Sequence, residues 1–184
     1  MRHLIQLLEE NSKPQDIEII ELNFTDREVK PVFSQDSLDL HYNKLAKGYA
    51  KRYNDKEGDR DFNYAGVFLH NLLFTQFREY RNNNKPNGPI AGFIDKHFKS
   101  YDDFKEKFKE VALTIQGSGW VYLSTEGSIK TIKNHEVVDD ILVLVDMWEH
   151  AFLLDYGSDK KKYLSEQWKI INWNVISTRW GKSL

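Results

Sequence analysis

The sequence predicts an α+β fold, and three observations predict it. Two long stretches of helical periodicity, joined by a short polar break, fill the first half of the chain. Three short runs rich in β-branched and aromatic residues follow one another between 120 and 145. Helical patterns then return. Helices, then a three-stranded antiparallel meander wrapped by helices, is an α+β order. The chain divides into an N-terminal extension (1–18), an antiparallel helical hairpin domain (19–85) and an α+β C-terminal domain (86–184).

Each element has its own signal. Leu4–Glu10 reads as a short helix that ends in the polar break Asn11-Ser12-Lys13-Pro14, and 17–33 reads as irregular or extended up to Pro31. Ser34 is a good N-cap for a helix from Gln35 to about Asn54, with Asp36 in its first turn. The polar stretch 55–61 breaks it, and a second helix runs from about Asn63 to Tyr80. Two long helices with a short joint form an antiparallel hairpin. Asn82 to Pro89 is the clearest linker. Ile90–Phe98 is helical, and Ser100 caps a further helix with Phe104, Phe108, Val111 and Leu113 mostly on one side. Trp120–Ser124, Ile129–Lys133 and Asp140–Val145 are the three strands. Two helices follow, about Lys160–Asn172 and Asn174–Trp180.

Composition excludes several classes. The 184 residues, 40% hydrophobic and 14% aromatic, can fill a core. A net charge of −2 does not suggest nucleic acid as a partner. There is no cysteine, which removes disulfides, thiolate zinc sites and iron–sulfur clusters and leaves His, Asp and Glu as the strong metal ligands. No apolar run approaches the roughly 18 residues of a membrane span, and the first residues carry no secretory pattern. The expectation is a cytoplasmic protein with no membrane partner.

The chemistry concentrates in Asp146-Met147-Trp148-Glu149-His150-Ala151, directly after the apolar run 141–145. A carboxylate at the end of a strand and an imidazole four residues later offer oxygen and nitrogen ligands suited to a transition metal. Six histidines are present, and one alone on a helix is most often an ordinary surface or core residue. His41, Leu45 and Tyr49 share a helical face at i, i+4, i+8. Gly66 precedes His70 by one turn. A glycine inside a helix costs about 1 kcal/mol relative to alanine, so something packs tightly there. A plain helix crossing satisfies that as well as a site does.

Asp146 to Ala151 resembles the Asp-x-Trp-Glu-His-Ala motif of the iron/manganese superoxide dismutase family. The likeness extends over about residues 30–180. Pro31-Val32-Phe33-Ser34 and His41-Tyr42-Asn43-Lys44 are similar to the family's first-helix signature, and Phe68-Leu69-His70-Asn71 falls where its second-helix ligand belongs. Residues 100–105, Gly117-Ser118-Gly119-Trp120, Tyr163-Leu164 and Asn172-Trp173 resemble its central and C-terminal segments. The resemblance implies one manganese or iron ion per subunit, held by His41, His70, Asp146 and His150. It implies disproportionation of superoxide to dioxygen and hydrogen peroxide, in a homodimer.

The same likeness assigns the surroundings. Tyr49 matches a gateway tyrosine that relays protons. His135 stands where a side-chain amide from the sheet usually bonds the metal-bound solvent, and Gly66 fills the helix position as in the manganese pattern. Trp120 and Trp148 match aromatic walls of the pocket, though plain core packing would look the same. Phe68 replaces a common tryptophan. Lys44 matches a lysine that attracts the anionic substrate, or is a solvated helix lysine. Glu149 matches a residue that crosses the dimer to His150 of the partner subunit. Two departures are coupled: Leu45 replaces a histidine and Leu153 a tyrosine, side chains that hydrogen-bond across the family's subunit interface. The joint between the first two helices is also short. The alternative is a structural or interaction protein of the same fold with weak or no activity, built into a larger assembly through 1–18. Retention of all four ligand types favours the enzyme.

Overall fold

A computed structural model describes residues 14–182. The helix expected at Leu4–Glu10 and most of the extension lie outside the described residues. From 14 to 34 the chain is irregular, as its composition implies, but it is tightly tethered. Asn54 both accepts from Ile17 N (2.9 Å) and donates to Ile17 O (2.9 Å). Asn71 accepts from Ile20 N (2.9 Å) and donates to Glu18 O (3.0 Å). Each carboxamide thus pairs with the strap as a neighbouring peptide group would, satisfying backbone groups outside regular structure. Tyr53 and Tyr42 hydroxyls donate to the carbonyls of Pro14 and Ile20.

The hairpin begins at Ser34, whose hydroxyl accepts from Ser37 N (3.1 Å). Its first arm is α1 (Gln35–Leu38), a π-helical segment (Asp39–Ala46) and α2 (Lys47–Asn54). The π segment departs from the regular helix expected. It sets His41 and Tyr49 inside, 2% and 6% exposed, while Leu45 between them is only half-buried. Such widened turns recur at functional sites. The second arm, α3 (Arg60–Thr75), starts earlier than expected because Asp59 is its N-cap, accepting from Phe62 N (3.0 Å). It also stops before Tyr80. Gln76 turns its side chain into the sheet, accepting from Leu144 N (3.1 Å) and donating to Leu144 O. Phe77 then bridges antiparallel to Ile171.

Helices α4 (Gly88–Phe98) and α5 (Tyr101–Ala112) follow, the latter capped by Ser100 as expected. Phe104 and Phe108 are fully buried, but Leu113 lies past the last turn and is exposed. The sheet comprises β1 (Gly119–Ser124), β2 (Ile129–Lys133) and β3 (Ile141–Asp146), ordered β2-β1-β3 and antiparallel throughout. Every residue of β1 and β3 is buried, so these strands read as continuous apolar runs rather than alternating ones. Trp120 is paired with Ile132 on one side and Asp146 on the other.

Three helices, not the two expected, complete the described chain: α6 (Glu149–Tyr156), α7 (Lys160–Gln167) and α8 (Trp173–Lys182). Helix α6 escapes sequence reading because it has eight residues and its N-cap, Trp148, supplies no side-chain capping bond. Ser34 N donates to Asp155 on α6 (2.9 Å), joining the start of the hairpin to the end of the motif. One cluster of buried side chains extends from Phe24 and Phe33 through Leu69 and Phe74 to the sheet and Ile176.

Candidate metal centre

The sheet, the hairpin and α6 meet at Asp146, the last residue of β3. Its backbone is held by the ladder to Trp120 and by the Tyr163 hydroxyl, which donates to Asp146 O (2.8 Å). Its carboxylate is divided between two tasks. Oδ1 accepts from Trp148 N (2.8 Å) across the turn into α6. Oδ2 faces the histidines: His41 Nε2 at 3.2 Å, His150 Nε2 at 3.2 Å and His70 Nε2 at 3.9 Å. The ligand atoms of these four residues all lie within 4.8 Å of one another. His41 comes from the π segment, His70 from α3 and His150 from the first turn of α6.

The chemistry of the set fits a bound cation. His70 Nδ1 donates to the Gly66 carbonyl (2.6 Å), which fixes the tautomer and leaves the Nε2 lone pair facing the cluster. Burial holds the His41 and His70 rings below their ordinary pKa, so both are neutral at pH 7, with Asp146 opposing the shift. Burial alone would push the Asp146 carboxyl up, but His150 and His41 outweigh it and keep it ionised. Among the described residues, His70 Nε2 has no hydrogen-bond partner, and His41 Nε2 has none of good geometry beyond its 3.2 Å approach to Asp146, although both are buried. Buried polar atoms in native proteins are nearly always paired, so two such nitrogens aimed at one carboxylate mark a place for a ligand.

Aromatic side chains enclose the cluster. Trp120, fully buried, meets His70 edge to face at 5.1 Å, and Phe74 meets His41 at 5.3 Å. Trp148 lies 5.7 Å from His150 and 4.8 Å from His135. Phe68 is half-buried beside the core. His135 follows Asn134, whose φ of 56° and bond to Ser118 O turn the chain inward after β2. The ring is 8% exposed, 4.7 Å from Tyr49 and 5.9 Å from His70, and neither nitrogen has a hydrogen bond of good geometry among the described residues. Burial lowers its pKa to about 4 and raises that of Tyr49 to about 12, so both are neutral at pH 7. Gly66 makes room for both. A Cβ there would stand 2.8 Å from His135 Nδ1 and 2.9 Å from Tyr49 Cγ.

Outside this shell, Glu149 is exposed in the first turn of α6, and Leu153 and Leu154 are 52% and 56% exposed. His150 keeps 13% of its side chain in solvent. Lys44 is exposed, 3.7 Å from Asp39. Sequence reasoning missed Phe62, which stacks on His135 at 4.5 Å. Asp59, an N-cap residue with Asp61 in the following turn, was the signal that would have placed Phe62 inside α3. It also missed Arg52, whose Cζ lies 4.8 Å above the Tyr49 ring.

A three-histidine, one-aspartate cluster, buried except at the partly exposed His150, lies between a helical hairpin and a small antiparallel sheet and has the donor set of a metal-binding protein. Residues 86–179 match the model of the family described as iron/manganese superoxide dismutases, C-terminal domain. The chain is 31% identical to the Porphyromonas gingivalis protein named superoxide dismutase [Mn/Fe], over 89% of this chain and 98% of the relative. It is 28% identical to superoxide dismutase [Fe] of Pyrobaculum aerophilum, over 85% and 88%. It is 30% identical to superoxide dismutase [Mn] of Mycolicibacterium smegmatis, over 83% and 87%. The chain belongs to the iron/manganese superoxide dismutase family.

Proposed function

We propose that the protein is a superoxide dismutase whose mononuclear manganese or iron ion is held by His41, His70, Asp146 and His150, one ion per subunit. The carrying observation is the convergence of those four ligand atoms within 4.8 Å. The bound ion would supply the one-electron redox chemistry that turns two superoxide anions into dioxygen and hydrogen peroxide. The chain's own groups manage ligand orientation and protons. Gly66 O orients His70, and Trp148 N orients Asp146. Tyr49, protonated at neutral pH, is the proton donor at the mouth of the site. His135 donates a hydrogen bond to solvent within it, held in place by Phe62, Tyr49 and Trp148. Trp120 and Phe74 exclude bulk water from the ligands.

The working form is proposed to be a homodimer that covers the exposed face of α6. Glu149 would reach the partner subunit's His150, and Leu45 and Leu153 would replace a polar contact with an apolar one. Loss of both polar partners together leaves no buried group unpaired. No helix among the described residues is long and apolar enough to cross a membrane, and a cytoplasmic location is the proposed one.

Metal analysis of the purified protein, run beside a dismutation assay, tests the reading. Wild type should carry near-stoichiometric manganese or iron and dismutate superoxide; His150→Ala should lose both. Bound metal without activity in the wild type would instead make the chain a structural relative. Solution mass tests the dimer, and a strict monomer would remove the role of Glu149.

A further inference from the structure

Arg52 takes no part in the ligand cluster, yet one ring separates it from that cluster. It follows Tyr49 by three residues on α2, and its Cζ lies 4.8 Å from the centre of the Tyr49 ring. That ring is 5.5 Å from His70 and 4.7 Å from His135. Two features hold the guanidinium there. Arg52 Nε donates to Asn63 Oδ1 (3.1 Å), and the Asn63 side chain, 3% exposed, is itself fixed by donating to the Glu57 carbonyl (3.0 Å). Gly48 leaves the space, since a Cβ there would sit 3.2 Å from Arg52 Nη1.

Both anchors are neutral, an amide oxygen and an aromatic face. Among the described residues no carboxylate forms an ion pair with Arg52. Asp55 is engaged by Lys51, and Asp59 accepts from Phe62 N. The contrast with Arg179 is informative. Both of that residue's terminal nitrogens donate, to Gln76, the Leu142 and Leu72 carbonyls and Thr75. Arg52 Nη1 and Nη2 have no acceptor among the described residues. A guanidinium anchored by neutral groups keeps its full charge, and its free N–H groups suit a small anion.

We propose that Arg52 is a positioning residue for the anionic substrate, a fixed cation beside Tyr49 whose terminal N–H groups draw a monoanion toward the metal centre. This rests on the superoxide reading above. It acts through charge at the approach to the site and needs no contact with the reacting atoms. Focused fields of this kind raise association rates and fade with ionic strength.

The test compares metal-loaded wild type with Arg52→Gln, Arg52→Lys and Asn63→Asp, which sets a carboxylate against the guanidinium. Two readouts are followed as salt rises: kcat/KM for superoxide, and the equilibrium affinity for azide as a small monoanion. At low salt Arg52→Gln should lower both by about three- to tenfold, and the gap should close as salt rises. Asn63→Asp should do the same, and Arg52→Lys should keep most of both. Unchanged salt slopes and azide affinity in Arg52→Gln and Asn63→Asp would overturn the proposal, as would an Arg52→Lys enzyme no better than Arg52→Gln, which would assign the effect to packing on Tyr49. A loaded wild type that fails to dismutate superoxide would sink the functional reading instead. The azide titration would then still decide whether Arg52 draws in monoanions.

Discussion

Asp146 and His135 are both polar, both buried and both part of one site, but they are held by different forces. Asp146 is fixed by directed bonds: a sheet ladder on its backbone, Tyr163 on its carbonyl, Trp148 N on one carboxylate oxygen. His135 is held mainly by shape, with Phe62, Tyr49 and Trp148 packed around a ring that makes no well-formed side-chain hydrogen bond among the described residues. Bonds at the end of a strand place an atom to a few tenths of an ångström. Packing places a ring only as well as its neighbours fill the space. The site therefore has a rigid ligand side and a side whose alignment depends on side chains from three elements.

The largest effect should come from the rigid side. Asp146→Ala removes the oxygen that all three histidines face, and strands the Trp148 N–H. Metal should be lost entirely, activity should fall by more than about a hundredfold, since even supporting contacts cost ten- to a hundredfold. Metal content and activity of the variant check this. Retained metal would mean that the histidines alone define the site and that Asp146 is not its anchor.

The metal-free protein should be acid-sensitive for the same reason. His41 and His70 have folded pKa values below the ordinary 6.5, so the unfolded chain takes up protons first as pH falls. Stability should be full above about pH 6.5 and decline below it, by up to about 1.4 kcal/mol per pH unit for each histidine. Thermal melts of chelator-treated protein from pH 8 to pH 5 measure it. A flat profile would show that the rings are not held neutral.

The packed side should respond to shape. Gly66→Ala places a methyl group 2.8 Å from His135 and 2.9 Å from Tyr49. Overpacking costs about 1–3 kcal/mol, and the helix propensity of alanine returns about 1. A net loss of about 1 kcal/mol is expected in chemical denaturation, with metal still bound and activity down about tenfold. An unchanged enzyme would mean that His135 and Tyr49 tolerate displacement and that their alignment is loose.

Much of this was legible from residues. Ser34 and Ser100 capped the helices predicted for them, and the three strands were found within a residue of their ends, because caps and β-branched runs act locally. The Asp146–His150 spacing read as two converging ligands, and the strand-to-helix turn does bring them together. What stayed hidden was set by distant partners. The second hairpin helix ends at Thr75, not Tyr80, because Gln76 pairs with Leu144 and Phe77 with Ile171, contacts that exist only once the sheet has docked. Helix α6 lacks a side-chain cap of its own. The π segment alters the face that a regular spacing of His41, Leu45 and Tyr49 predicts, and leaves Leu45 partly outside.

By itself the sequence determined the fold class and the Asp146–His150 pair of candidate ligands, because periodicity, capping and donor chemistry are properties of short segments; His41 and His70 were picked out only by the family resemblance. Only the tertiary structure decided that Gly66 serves His135 and Tyr49 together, that Phe62 closes over His135 and that Arg52 stands beside Tyr49 with no ion pair among the described residues. Those relations join residues from different elements, and no local preference encodes which ring will face which gap.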